Sequence, residues 1–316
     1  MSHKNVIVIA GQSPAGGASA IIDPGGILDL HDLGAQTAAD LAALYCYDHS
    51  TGGSALSYAW GDIRGHNSYY AGAYVDGQGN RYKCGGIEVG LNRYLYAQGY
   101  RDLVFINFWM NYSSAGLQNG HSRWCKGNTV WNQWTSLLET HLAELTALGH
   151  TYSVEALVWE QGIDDALLAR TQVDFEADTR QIFTDFRADY ASATTPIVIE
   201  KSVNSSIAGS AAMAPIRAGQ IAMAADYDGL IDPDGLTLVD THHVDYAGQL
   251  DEGEQAGILL RAALGQQVVV DDKYGYIKDV RLESGRVATI FDGSTSYSFS
   301  GIPPTATRNP DRVQCY

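Results

Sequence analysis

Short, continuous apolar runs alternate with helical patterns along the chain. Residues 6–10, 103–108, 156–159, 196–199 and 236–239 are each almost wholly apolar. A strand covered on both faces reads this way, because neither face meets water. Between the runs, Trp131, Trp134, Leu138, Leu142, Leu145 and Leu148 recur every three or four residues as one stripe, and Gly149 follows as a stop signal. Similar spacing predicts helices over 37–45, 88–97, 173–190, 215–225 and 252–264. Strands alternating with helices predict an α/β fold, an open and mainly parallel sheet with helices on both faces. Ligands of such sheets bind beyond the carboxyl ends of the strands.

Two stretches break the rhythm. Residues 50–83 are rich in Gly, Tyr, Asn and Asp, and 111–128 hold Tyr112, His121 and Trp124. Loops this long in a compact domain are functional or disordered. Beyond Gly265 the pattern changes to short strands at 268–270, 276–282, 286–291 and 296–300. The expected division is a main domain over 1–265 and a small β-rich extension over 266–316, packed on the main domain or serving as an oligomer or assembly contact.

Composition narrows the partners. With 316 residues and 45% hydrophobic content, the chain can bury a large core. No run approaches the roughly 18 apolar residues that cross a bilayer, and no signal peptide is read at the start, so a cytoplasmic or assembly-associated protein is expected. The formal net charge of −16 opposes nucleic acid and anionic membranes, and a neutral substrate is easier to accept. Cys46, Cys84, Cys125 and Cys315 are scattered without a C-x-x-C pair. Reduced thiols are expected, with three pairings open if disulfides form.

Three segments carry candidate chemistry. In Gly11-Gln12-Ser13-Pro14, a serine follows the first buried strand among small neighbours. Gly11 and Gly16 have phosphate-loop spacing, but the lysine that would bind phosphate is missing. The G-x-S-x-G elbow is absent too, since Ala15 takes the place of its last glycine. A serine there becomes a nucleophile only with a base and an orienting acid. Asp240-Thr241-His242-His243 supplies both, with Asp240 three residues before His243. A turn of that length lets the carboxylate reach the inner imidazole nitrogen while the outer one faces Ser13. Half of a zinc site, or solvated surface residues, are the alternatives for the same segment. The third segment is Trp159-Glu160-Gln161-Gly162-Ile163-Asp164-Asp165. Its Gln161 amide, at a strand's carboxyl end, can donate to an oxyanion, and its acids suit a helix's first turn.

Together these segments resemble the sialate O-acetylesterase-like branch of the SGNH hydrolases, which includes carbohydrate esterase family 6. GQSN in the family corresponds to Gly11-Gln12-Ser13-Pro14, W-x-Q-G-E-S-D to 159–165, and D-x-x-H to Asp240–His243. The order covers residues 5 to about 264. The resemblance implies a three-layer α/β/α, flavodoxin-like fold and Ser-His-Asp hydrolysis of acetylated sugars without a cofactor. By position, Ser13 is the nucleophile, His243 the base and Asp240 its orienter. Gln161 takes the oxyanion amide's place, beside the backbone N–H groups of Ser13 and of a residue near Ser114. Gln12, Tyr112 and Trp124 are candidate substrate contacts, the aromatics either stacking on sugar rings or packing their own excursion. Three departures matter: Ser113-Ser114-Ala115 stands where the family has Gly-Gly-Thr, Pro14 has no N–H to offer, and Ile163 replaces a glutamate. The rival reading is a glycan-binding or adhesion protein on a weakened esterase fold.

Overall fold

The computed structural model describes residues 2–16, 86–110, 113–116 and 122–264, and the backbone of strands at 44–50, 60–61, 66–67, 83–84, 266–268, 279–283, 287–291 and 296–300. In chain order the elements are β1 (His3–Gly11), β2 (Leu44–Ser50), β3 (Trp60–Gly61), β4 (His66–Asn67), β5 (Lys83–Cys84), α1 (Ile87–Ala97), β6 (Leu103–Met110), β7 (Ser113–Ser114) and β8 (Ser122–Arg123). There follow α2 (Thr129–Ala147), β9 (Thr151–Glu160), α3 (Ile163–Leu167), α4 (Gln172–Tyr190), β10 (Ile197–Glu200), α5 (Ser210–Ala224), β11 (Leu230–Ile231) and α6 (Tyr246–Leu264). The chain then enters β12 (Gln266–Val268), β13 (Asp279–Glu283), β14 (Val287–Phe291) and β15 (Ser296–Ser300).

The main sheet runs β11-β10-β9-β1-β6-β2-β3, so β1 lies near its middle. All its pairings are parallel except β2 with β3. Alternate residues of the central strands feed two cores, as the period of two requires. Val6, Val8, Ala10, Val104, Ile106 and Phe108 pack under α2, α4 and α5. Ile7, Ile9, Phe105, Val158 and Val198 pack under α1 and α6. The result is the three-layer α/β/α arrangement. The last four strands form a separate antiparallel sheet in the order β12-β13-β14-β15. Among the described residues, no helix is long and apolar enough to cross a membrane.

Three sequence expectations change. Residues 236–239 are not a core strand: β11 takes that place beside β10, while Leu238 and Val239 are exposed. The segment instead forms one side of a closed turn, with an isolated bridge between Leu238 and Val244. Of the helix expected over 37–45, residues 44–45 belong to β2 and the rest lies outside the described residues. Helix α5 starts five residues before Pro215, which sits inside it. Proline suits a helix start because only the first N–H groups lack partners. Here the good helix formers Ala211, Ala212, Met213 and Ala214 carry the helix ahead of it.

Helices α1 and α6 cross where glycines face each other. A Cβ on Gly90 would fall on the Leu250 carbonyl, and one on Gly253 would fall on the Ile87 carbonyl and the Leu91 nitrogen. Backbone cannot move aside as a side chain can, so the glycines permit the contact. Helix propensity alone favours Gly253→Ala by about 1 kcal/mol. Overpacking opposes it by about 1–3 kcal/mol, and the clash is with backbone. The expected outcome is net destabilisation, read as a lower urea midpoint at unchanged slope; a raised midpoint would show that the crossing has slack.

Candidate active site

The turn after β1 delivers Ser13 to the carboxyl edge of the sheet, where it is 6% exposed. His243, 230 residues away in sequence, places Nε2 2.7 Å from Ser13 Oγ. Its other nitrogen, Nδ1, lies 2.7 Å from Asp240 Oδ2. The structure thus brings Ser13, His243 and Asp240 into one hydrogen-bonded line.

The Asp-x-x-His spacing meets because the chain doubles back. Val239 N–H donates to the His243 carbonyl at 2.9 Å, and Asp245 N–H donates to Thr237 at 2.9 Å. Inside that turn, Asp240 Oδ1 accepts the backbone N–H groups of His242 and His243, each at 2.8 Å. Burial alone would raise the Asp240 carboxyl. The His243 hydrogen bond and charge and these two amides outweigh it and hold the group well below the usual carboxylate range. His242 points elsewhere, its ring centroid 3.8 Å from that of His243. Burial, then the His243 charge, lowers its pKa to about 4.

The Gln-Gly-Ile-Asp-Asp segment has a different place from the one expected. Both Gln161 amide hydrogens are engaged, one on the Ser113 carbonyl and one on Asp165 Oδ2, each at 2.8 Å. Its Oε1 accepts from Trp124 Nε1 at 3.1 Å. In place of the expected donation to an oxyanion, the side chain anchors the loop after β6. Asp164 accepts from Ser113 N–H at 3.0 Å, and Asp165 accepts from Ala115 N–H at 3.0 Å. Ser114 is buried in the stretch so held, with its hydroxyl donating to the Gly116 carbonyl at 2.8 Å. Gln12 is also buried: Oε1 accepts from Gly162 and Asp164 N–H, while Nε2 donates to Asp164. It ties two turns together and is not a substrate contact in this arrangement. Trp124 is fully buried, edge-on to Phe108, Trp134 and Trp159. It has no face for a sugar ring, so the stacking role expected of it is corrected to packing. Tyr112, His121 and the 69–82 excursion lie outside the described residues. Of the cysteines, Cys125 is a free thiol, and the side chains of Cys46, Cys84 and Cys315 lie outside the described residues.

Residues 118–258 match the family model described as "carbohydrate esterase, sialic acid-specific acetylesterase". The match spans under half of the chain, and it is a likeness to that family. The matched segment contains Gln161, Asp240 and His243 but not Ser13. No curated protein matches this chain in sequence. Among solved structures, an Arabidopsis thaliana protein is similar at 16% identity and TM-score 0.56, covering 82% of this chain and 98% of that one. That likeness is one of fold. NanS aligns at 14% identity and TM-score 0.49, covering 83% of this chain and 97% of its own. A carbohydrate acetylesterase family member from Sinorhizobium meliloti aligns at 14% identity and TM-score 0.39, with 56% and 86% covered.

Sequence reasoning missed a layer of acids behind the Ser13 turn. Glu160 ends β9 and Glu200 ends β10, each two residues beyond a core valine on the α1/α6 side. Glu88 of α1 and Glu252 of α6 join them, all buried. Both Glu160 oxygens and one Glu252 oxygen have no hydrogen-bond partner among the described residues. Burial, then repulsion from Glu200, Glu252 and Glu88, pushes Glu160 well above the carboxylate range. Burial and Glu200 do the same to Glu252, and burial takes Glu200 to about 8. Burial likewise raises Asp165 to about 7 against its hydrogen bonds. The signal available in sequence was an acid closing an otherwise apolar strand, Val158-Trp159-Glu160 and Val198-Ile199-Glu200.

These raised values fix a sign for stability. The folded state keeps protons that the unfolded chain releases above about pH 4.5, the ordinary carboxyl value of Glu. The stabilisation is therefore complete below that pH and is lost as pH rises towards about 8. Urea unfolding should give a lower free energy at pH 8 than at pH 5, with a slope approaching about 1.4 kcal/mol per pH unit for each retained proton. Glu160→Gln should flatten the slope and exceed the wild type at the alkaline end. A wild-type stability that climbs above pH 6.5, where the lowered His141 and His242 no longer oppose the fall, would mean that the glutamates are ionised when folded.

Proposed function

We propose that this chain removes O-acetyl groups from a carbohydrate by a Ser-His-Asp acyl-enzyme mechanism. The observation that carries the reading is the unbroken line from Ser13 through His243 to Asp240, at 2.7 Å in both steps. His243 Nε2 takes the Ser13 proton as Oγ attacks the acetyl carbonyl. Asp240 holds the imidazole in the tautomer that leaves Nε2 free, and stabilises the imidazolium that forms. His243 returns the proton to the departing sugar oxygen. Water then attacks the acetyl-enzyme with His243 as base again. The family description supports an acetylated sugar as substrate, and the scheme uses no cofactor.

The oxyanion falls to the backbone N–H groups of Ser13 and Ser114, since those of Ser113 and Ala115 are held by Asp164 and Asp165. Pro14 offers none. Gln161, Asp164 and Asp165 then act through the 113–115 stretch by fixing it. Gln161→Ala lowers kcat in this reading by loosening the loop, and His242→Ala is mild because its ring does not reach Ser13.

The test is hydrolysis of a short acyl nitrophenyl ester and acetate release from an O-acetylated sugar. Ser13→Ala and His243→Ala should each cost on the order of 10⁴-fold or more in kcat, with similar losses because the two residues act as a unit. Asp240→Asn should cost about 10⁴-fold through the wrong tautomer. Near wild-type turnover in Ser13→Ala, free of contaminating esterase, would overturn the nucleophile. Sugar binding without hydrolysis by the wild type would favour the glycan-binding reading.

A further inference from the structure

We propose that Asp240, His242 and His243 form an inhibitory site for a zinc-class transition metal, which switches the catalytic imidazole to its inactive tautomer. The proposal rests on His243 being the general base. One ligand atom from each of the three residues lies within 4.8 Å of the other two. His242 Nδ1 is 3.6 Å from Asp240 Oδ1, and His243 Nδ1 is 2.7 Å from Asp240 Oδ2. In a tetrahedral zinc site with bonds of about 2.0–2.1 Å, ligand atoms stand about 3.3 Å apart. The two spacings to Asp240 bracket that value, and the imidazole-to-imidazole spacing lies within 4.8 Å, so side-chain shifts close the site. Thr241 Oγ, 2.8 Å from His242 Nδ1, is the group the metal would displace there. Two imidazoles and one carboxylate are the donor set that zinc and its neighbours favour.

The consequence follows from proton bookkeeping on one ring. In the active form, His243 Nδ1 carries the proton and donates it to Asp240, leaving the Nε2 lone pair for Ser13. A metal on Nδ1 needs the lone pair there, so that proton leaves Nδ1. The neutral ring then carries its single proton on Nε2, by exchange with solvent. Nε2–H can donate to Ser13 Oγ but cannot accept its proton. The metal also takes the Asp240 carboxylate that would stabilise the imidazolium. Substrate binding is untouched, because the metal sits on the side of His243 away from Ser13.

Zinc sulfate titrated into the protein near neutral pH, in a buffer that does not bind zinc, should lower ester hydrolysis by on the order of tenfold or more. The loss should fall on kcat with KM nearly constant, and a chelator should reverse it. His242→Ala or His242→Gln, with uninhibited turnover retained, should need on the order of tenfold more zinc for the same loss. Calorimetry on the Ser13→Ala chain should register one zinc per chain, weakened to the same degree by adding His242→Ala. This reading needs no turnover, so it judges the metal site even if the chain hydrolyses no ester. Inhibition unchanged by both His242 variants, or zinc affinity unchanged by His242→Ala, would overturn the proposal.

Discussion

The site depends on the close approach of β1 and β9 at their carboxyl ends. A Cβ on Gly11 would collide with the Glu160 carbonyl, so only glycine allows the strands this separation. The same carbonyl accepts the Gln12 N–H at 2.9 Å, one residue before Ser13. The Gln12 side chain then accepts from Gly162 and Asp164, and Asp164 accepts from Ser113. Three turns from three parts of the chain are locked by these bonds. Each such bond adds about 1 kcal/mol net, but leaving a buried partner unpaired costs about 1–3 kcal/mol. The knot therefore holds as a unit, and a shift of β1 against β9 reaches the loop after β6 as well as the serine.

Acids near this edge are kept in opposite charge states by their surroundings. Asp240 is partly open to solvent and accepts two backbone N–H groups besides its contact with His243. It is held as the anion. Glu160 is buried, without a hydrogen-bond partner for either oxygen among the described residues, and lies near three other glutamates. It is held neutral. Burial acts against the charged form in both places; at Asp240 the His243 hydrogen bond and charge and then two backbone N–H groups outweigh it, while at Glu160 the neighbouring glutamates add to it. In the proposed mechanism this leaves Asp240 as the anion that faces His243, while Glu160 behind the serine turn adds no competing charge.

What was legible in the sequence is what repeats or is local. Continuous apolar runs located β1, β6, β9 and β10, because buried parallel strands leave no polar face. The Asp240–His243 spacing was readable because its geometry is set within one turn. Residues 236–239 misled because an apolar run of four is equally a strand or the flank of a turn. Gln161 and Trp124 were legible as residues of interest but not in their roles. An amide at a strand end can face inward or outward, and only the loop folded over it decides which. Ser113 and Asp165 take both hydrogens of the Gln161 amide. Trp124 could not be known to be buried without knowing that Trp134 and Trp159, from a helix and a strand, close around it.

The family match begins at residue 118, so the proposed nucleophile lies outside it while its base and orienting acid lie inside. Sheet topology joins them. β1 pairs in parallel with β6 on one side and β9 on the other, and β10 extends the same sheet. Parallel strands send all their carboxyl ends to one edge, so a serine leaving β1 and a glutamine leaving β9 emerge side by side. The Asp240–His243 turn follows β11, the parallel strand beside β10, after the connecting residues 232–237. It is closed by its own hydrogen bonds and tied to the segment after β10 by Ser206 N–H donating to the Thr241 carbonyl at 3.3 Å. The parallel sheet fixes the acyl-accepting half of the proposed site, and a self-closed turn presents the proton-moving half to it. The contact between those halves is the 2.7 Å step from Ser13 to His243, so the position of the turn over the sheet edge sets whether the proton can move.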